Sequence, residues 1–140
     1  MNVDAIEILL VEDNDDDAEL ALRALSRKKL ANRVHRLSDG AAAIDYFFGA
    51  LGPRPHVVFL DLKLPKVNGL EILRRLKAEP ATATIPVVVL TSSNEDKDLQ
   101  EAYRLGANSY IVKPVAFERF LEVVESLGFY WLVVNNRPPG

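Results

Sequence analysis

Five positions could do chemistry in this chain: the pair Glu12 and Asp13, then Asp61, Thr91 and Lys113. Each stands at the end of a short run: Glu12 and Asp13 after IEILLV (Ile6 to Val11), Asp61 after VVFL (Val57 to Leu60). Thr91 closes VVVLT (Val87 to Thr91), and Lys113 follows SYIV (Ser109 to Val112). Runs this brief and this rich in β-branched and aromatic residues read as strands, the continuous apolar ones buried on both faces. In a parallel sheet the carboxyl ends of strands share one edge, where open α/β folds place their ligands. Three carboxylates held together in a partly dry crevice repel strongly, so one is protonated or a cation sits among them. Oxygen-only ligands with sites left for water suit Mg²⁺, whereas Zn²⁺ would want histidine or cysteine. A cation bordered by a lysine and a hydroxyl also makes a place for an oxyanion. Phosphate between Mg²⁺ and the Lys113 ammonium fits the charge balance.

The intervening segments have to hold these residues in place. Asn14 or Asp15 can cap a first helix, and the acids through Asp17 favour the positive end of its dipole. Ala18, Ala21, Leu22 and Leu25 form one buried stripe, with Arg23, Arg27, Lys28 and Lys29 toward the carboxyl end of a helix of about four turns. Asn32 to Leu37 is a weaker strand, and Ser38, Asp39 and Gly40 punctuate it before a second helix, AAAIDYFF, that ends near Gly49. Pro65, Asn68 and Gly69 turn the chain after Asp61 into a third helix from about Gly69 to Ala78, stopped before Pro80. A fourth helix bears Leu99, Ala102 and Tyr103 and closes at Gly106; a fifth bears Phe117, Phe120, Leu121 and Val124 and stops at Gly128. Five strand-then-helix units in strict alternation predict an α/β fold, a doubly wound five-stranded parallel sheet. The polar second and fifth strands belong at its edges.

Composition narrows the function. The 140 residues, 49% hydrophobic, make one domain with a full core. A net charge of -3 disfavours nucleic acid, whose phosphates demand a basic face. With no cysteine, disulfides, thiolate metal sites and a cysteine nucleophile are all excluded. No leader pattern opens the chain and no apolar run approaches the roughly 20 residues that span a bilayer, so no membrane association and a cytoplasmic location are expected.

The segments ILLVEDN, VFLDLKLPKVNG, VVVLTSS and YIVKP together resemble a response-regulator receiver domain of two-component signalling, over roughly Ile6 to Gly128. The resemblance implies a flavodoxin-like fold with strand order 2-1-3-4-5. It makes Asp61 the phosphoacceptor, attacking a phosphohistidine on a partner histidine kinase, with Mg²⁺ held by Glu12, Asp13, Asp61 and the backbone carbonyl of Lys63. It gives Thr91 a bond to the phosphoryl oxygens, Lys113 an ion pair with them and a cis peptide to Pro114, and Tyr110 the place of an aromatic switch that follows Thr91. Glu12 stands where many receivers have aspartate, and Lys63 and Ser93 occupy positions that tune phosphoryl lifetime in the family. A narrower resemblance, to single-domain regulators of phytochrome histidine kinases, rests on the connector ending IPVVVLT and on an aromatic tail, Phe129 to Leu132, followed by prolines. It implies domain limits of 1–128 with a tail of 129–140, and a homodimer through the last helix and that tail.

Ordinary readings stand beside these. An aspartate after a strand is commonly a turn residue and Asp13 to Asp17 a helix start; it is their joint occurrence with Thr91 and Lys113 that favours phosphorylation. Tyr110 and the tail aromatics could be plain packing, and His35 and His56, without ligand-spaced companions, are given no role. A phosphorylation-independent scaffold of the same fold would tolerate loss of an acid, the hydroxyl or the lysine, and none is lost. A phosphohydrolase with an aspartyl nucleophile would place a second acid where Lys63 stands. A flavin module would want a phosphate-binding loop after the first strand, where EDNDDD would repel it. The expectation is therefore a signalling domain rather than an enzyme acting on foreign substrates, which catalyses only its own phosphotransfer and dephosphorylation.

Overall fold

The computed structural model describes residues 6–25, 32–49, 55–92 and 97–126. Ten elements alternate along them: β1 (Ile6–Val11), α1 (Asp15–Leu25), β2 (Asn32–Leu37), α2 (Gly40–Phe48), β3 (Val57–Asp61), α3 (Gly69–Ala78), β4 (Val87–Thr91), α4 (Lys97–Arg104), β5 (Ser109–Val112) and α5 (Phe117–Ser126). All the strand pairs are parallel, in the order β2-β1-β3-β4-β5. The polar strands are thus the edges, as expected.

Side chains that alternate along a strand divide the core in two. On one face Ile8 and Leu10 of β1, Val57 and Phe59 of β3, and Val88 and Leu90 of β4 pack with α1 and α5, through Ala18, Ala21, Leu25, Phe120 and Val123. On the other, Leu9 and Val11, Val58 and Leu60, and Val87 and Val89 pack with α2, α3 and α4, through Ala43, Phe47, Ile72, Leu76, Leu99 and Ala102. Strands β3 and β4 are buried at every position, which explains their uninterrupted apolar runs.

The α1 stripe differs in one member from the sequence reading. Ala24 is buried, while Leu22 sits at the margin. Its three alanines leave little bulk between helix and sheet, so the packing surface turns toward them. The expected extension of this helix to Lys29, the end of α5 at Gly128 and Ser93 lie outside the described residues, as do the domain limit at 128 and the tail 129–140. No helix among the described residues is long and apolar enough to cross a membrane.

Three helix starts are fastened by side-chain caps. Asn14 Oδ1 accepts the Asp17 N–H at 2.9 Å, Asp39 Oδ1 the Ala42 N–H at 2.8 Å, and Asn68 Oδ1 the Glu71 N–H at 3.0 Å. The Asn68 cap fixes where α3 begins, directly after the Asp61 loop. Asn68→Ala is expected to lower stability by about 1 kcal/mol, read as an earlier urea midpoint with unchanged slope; an unchanged midpoint would show that the cap carries no weight.

Candidate functional site

The carboxyl ends of β1, β3, β4 and β5 converge. Asp61, the last residue of β3, is nearly buried; its Oδ1 accepts the Lys63 N–H at 2.9 Å and its Oδ2 accepts a hydrogen bond from Lys113 Nζ at 3.0 Å. Lys113 is held at the end of β5, where its N–H donates to the Thr91 carbonyl at 2.7 Å and its peptide bond to Pro114 is cis. Glu12, only 1% exposed, accepts the Asn14 N–H on Oε2 at 3.1 Å. Its Oε1 stands 2.8 Å from Lys113 Nζ, an ion contact whose angle falls short of a hydrogen bond, and finds no donor of its own among the described residues. Asp13 is exposed beside it. One carboxylate oxygen from each of Glu12, Asp13 and Asp61 can be chosen so that all three lie within 4.8 Å of one another.

The charges do not balance within the protein. Burial above all, with Asp61 adding to it, pushes the Glu12 carboxyl up to about 7 against the opposing pull of Lys113 and the Asn14 N–H. Burial also pulls the Lys113 ammonium down, yet Glu12 and Asp61 together outweigh it and hold the group above its ordinary value. Glu12, Asp13, Asp61 and the nearby Asp17 outnumber the one ammonium and leave negative charges over. A single hard divalent cation on oxygen donors would offset them, and the buried, donorless Oε1 of Glu12 fits such an ion. The residues present therefore fit Mg²⁺.

Across a small crevice from Asp61 stand Thr91, Ser92 and Asp98, with Leu62, Lys63 and Leu90 completing the walls. Thr91 is buried at the end of β4. The Lys63 side chain points to solvent, and only its backbone turns toward Asp61. Tyr110 lies further off, half-buried on β5: its ring meets Tyr103 edge-on at 6.3 Å and carries the Arg119 guanidinium at 5.5 Å. Neither histidine joins the site. His35 packs on Tyr46 at 5.6 Å, and His56 Nδ1 accepts the Glu7 N–H at 2.9 Å, a tie between β1 and the approach to β3.

Two residues that sequence reasoning did not place in the site do join it. Arg36, at the end of β2, grips the Glu12 carbonyl through Nε at 3.0 Å and Nη2 at 2.8 Å and pairs with Asp15 at 2.9 Å. It pins the loop that carries Glu12 and Asp13. Asp17, in the first turn of α1, places Oδ2 3.1 Å from Lys113 Nζ. Its spacing of one helical turn from Asp13 was the available signal, masked by the general preference for acids at helix starts.

The all-parallel 2-1-3-4-5 sheet carries an acid cluster, a hydroxyl and a lysine at its carboxyl edge, and the chain belongs to the response regulator receiver domain family, whose model matches residues 8–125. Among its relatives, the bacteriophytochrome response regulator RtBRR is 48% identical, with 97% of this chain and 86% of that one covered and a TM-score of 0.81. A probable methanogenesis regulatory protein, FilR2 of Methanothrix harundinacea, is 45% identical over 138 residues, 96% of this chain and 89% of that protein. Rcp1, a response regulator of Synechocystis, is 36% identical over 94% of this chain and 92% of its own length. A solved Mn(2+)-bound form of Rcp1 covers 95% of this chain and 99% of its own, at 34% identity and a TM-score of 0.75.

Proposed function

We propose that this chain is a single-domain response regulator that accepts a phosphoryl group on Asp61 from a histidine kinase of phytochrome type, in an Mg²⁺-dependent reaction, and thereby changes its protein contacts or relays the phosphate. The observation that carries the reading is the placement of Asp61: nearly buried, on the Lys113 ammonium, with Glu12 and Asp13 within reach of one shared ion and Thr91 across the crevice.

The residues account for the chemistry. A carboxylate is a modest nucleophile, but transfer through a loose transition state requires position and charge neutralisation more than nucleophilic strength. The Lys63 N–H fixes one oxygen of Asp61 and Lys113 the other, so the carboxylate meets an incoming phosphorus atom already oriented. A carboxylate oxygen bonds to phosphorus as the bond to the donor's imidazole nitrogen breaks; the electron pair leaves on that nitrogen, and an aspartyl phosphate results. Lys113 stabilises charge on the moving oxygens. Mg²⁺, held by Glu12, Asp13, Asp61 and the Lys63 carbonyl, would add further neutralisation of the same oxygens. Water can later hydrolyse the mixed anhydride and return Asp61.

The Thr91 hydroxyl donates to the new dianion, which draws the end of β4 toward it. Tyr110, on β5 opposite Val89 of β4, would follow and disturb its packing on Tyr103 and Arg119. That changes the face of α4, β5 and α5, where Tyr103 and Val112 are exposed. Homodimerisation through the last helix and residues 129–132 belongs to the same reading and rests on the sequence. Light scattering of the full chain beside a Tyr130→Ser, Trp131→Ser double variant is expected to show a dimer reduced to monomer, and equal masses would remove the tail from the interface.

Kinase choice is testable by transfer profiling. Phosphorylated histidine kinases of several input classes, offered at equal concentration, are expected to load this chain fastest when the donor is phytochrome-type. Preference for another class would reassign the input while leaving Asp61 as acceptor. Asp13→Ala is expected to weaken Mg²⁺ binding at least about tenfold by calorimetry, the loss typical when support of a bound metal is removed. Unchanged affinity would take Asp13 out of the metal site.

A further inference from the structure

Lys113 Nζ has three protons to donate, and three carboxylate oxygens surround it: Glu12 Oε1 at 2.8 Å, Asp61 Oδ2 at 3.0 Å and Asp17 Oδ2 at 3.1 Å. Asp61 Oδ2 and Asp17 Oδ2 accept its hydrogen bonds, Glu12 Oε1 holds it as an ion contact, and together they close in the ammonium. A phosphoryl group arriving on Asp61 brings new oxygens that need the same protons, so one of the present partners has to yield. The three do not yield equally. The Glu12 side chain is 1% exposed, and stripping its ammonium would strand a buried carboxylate. The Asp61 oxygens become part of the incoming group. The Asp17 side chain is 34% exposed and water can replace the lysine at little cost.

From this geometry we infer that Asp17 is a positioning residue that holds Lys113 in the unphosphorylated state, competes with the phosphoryl group for it, and is released when the group arrives. The inference rests on the reading of Asp61 as phosphoacceptor. It gives α1 a part in the switch. Asp17 ties the first turn of α1 to the end of β5, 96 residues away in sequence, and phosphorylation cuts that tie. The plain alternative is that Asp17 is one more acid stabilising a helix start, as Asp15 and Asp16 are.

Asp16 separates the two. It lies in the same turn, carries the same charge and is exposed, and no contact joins it to Lys113 among the described residues. Beryllofluoride, a phosphoryl mimic, would be titrated calorimetrically at saturating Mg²⁺ into the wild type, Asp17→Ala, Asp16→Ala and Asp17→Glu, each checked for native circular dichroism. Asp17→Ala is expected to bind about threefold tighter or more, the scale of one partly exposed ion pair, with Asp16→Ala near wild type and Asp17→Glu restored toward it. Equal affinity in Asp17→Ala and Asp16→Ala, or weaker binding in Asp17→Ala, would overturn the competition while leaving Asp61 as acceptor. No binding to the wild type would overturn both.

Discussion

Asp61→Asn is expected to abolish phosphoryl uptake completely and, in metal-free buffer, to raise the melting temperature. The first effect follows from the loss of the nucleophile: an amide oxygen does not form a stable phosphoryl bond, and the other acids of the cluster lie to one side of the crevice lined by Thr91 and Ser92. The second follows from the charge balance. Glu12 and Asp61 are both buried, and like charges at such separations repel by about 3–4 kcal/mol at an effective dielectric of about 20. Asparagine keeps an oxygen for the Lys63 N–H and removes a charge, at the expense of one of the three ion contacts of Lys113. Mg²⁺ reverses the order, since it binds the wild type more tightly and stabilises what it binds. Thermal scans of both proteins with and without Mg²⁺ check this: a variant less stable than wild type without metal would show that the Lys113 contact outweighs the repulsion.

Gly40→Ala is expected to cost about 3 kcal/mol or more, at the upper end for overpacking. A Cβ at Gly40 would lie 1.7 Å from the Val67 carbonyl oxygen and 2.6 Å from its carbon, both backbone atoms that no rotamer change can move aside. The contact is where the start of α2 meets the loop between β3 and α3. Gly40 donates its N–H to the Pro65 carbonyl at 3.2 Å, Asp39 pairs with Lys66 at 3.5 Å, and Lys66 itself is held at a φ of 71°. The loop has little freedom to retreat, because Gly69 is pressed against the backbone of Asp61 and Leu62, its own Cβ position 2.3 Å from the Asp61 carbonyl oxygen. Displacement of the loop would therefore reach Asp61. Urea unfolding should show the lost stability and phosphorylation should slow with it; a variant within 1 kcal/mol of wild type would mean that the loop yields easily.

The legible part of this protein is what two simple periods encode. Continuous apolar runs marked β1, β3 and β4 as doubly buried strands, and helices spaced between them forced parallel pairing and one shared carboxyl edge. That geometry is enough to bring Glu12, Asp13, Asp61, Thr91 and Lys113 together without knowing any distance. What escaped is what depends on contact between elements far apart in sequence. Asp17 read as a helix-start acid because that explanation is locally sufficient; only the fold shows Lys113 within 3.1 Å. Arg36 sat in a strand too polar to draw notice, and its grip on the Glu12 carbonyl follows from the β1–β2 register, which no local pattern states. Gly40 read as punctuation, although it is a point of backbone approach between α2 and a loop some twenty-five residues on. Ala24 joined the α1 stripe unannounced because a small residue reads as neutral in the pattern, while Leu22 packs at the margin of the same core.

Intact mass after incubation with acetyl phosphate tests the proposed chemistry most directly. Wild type and Asp61→Asn would be compared in Mg²⁺ and in EDTA, with beryllofluoride binding followed in parallel. One added phosphoryl group on the wild type alone, in Mg²⁺ alone, is the predicted result. A wild type that neither gains mass nor binds beryllofluoride in Mg²⁺ would contradict it and leave a receiver fold that signals by binding alone.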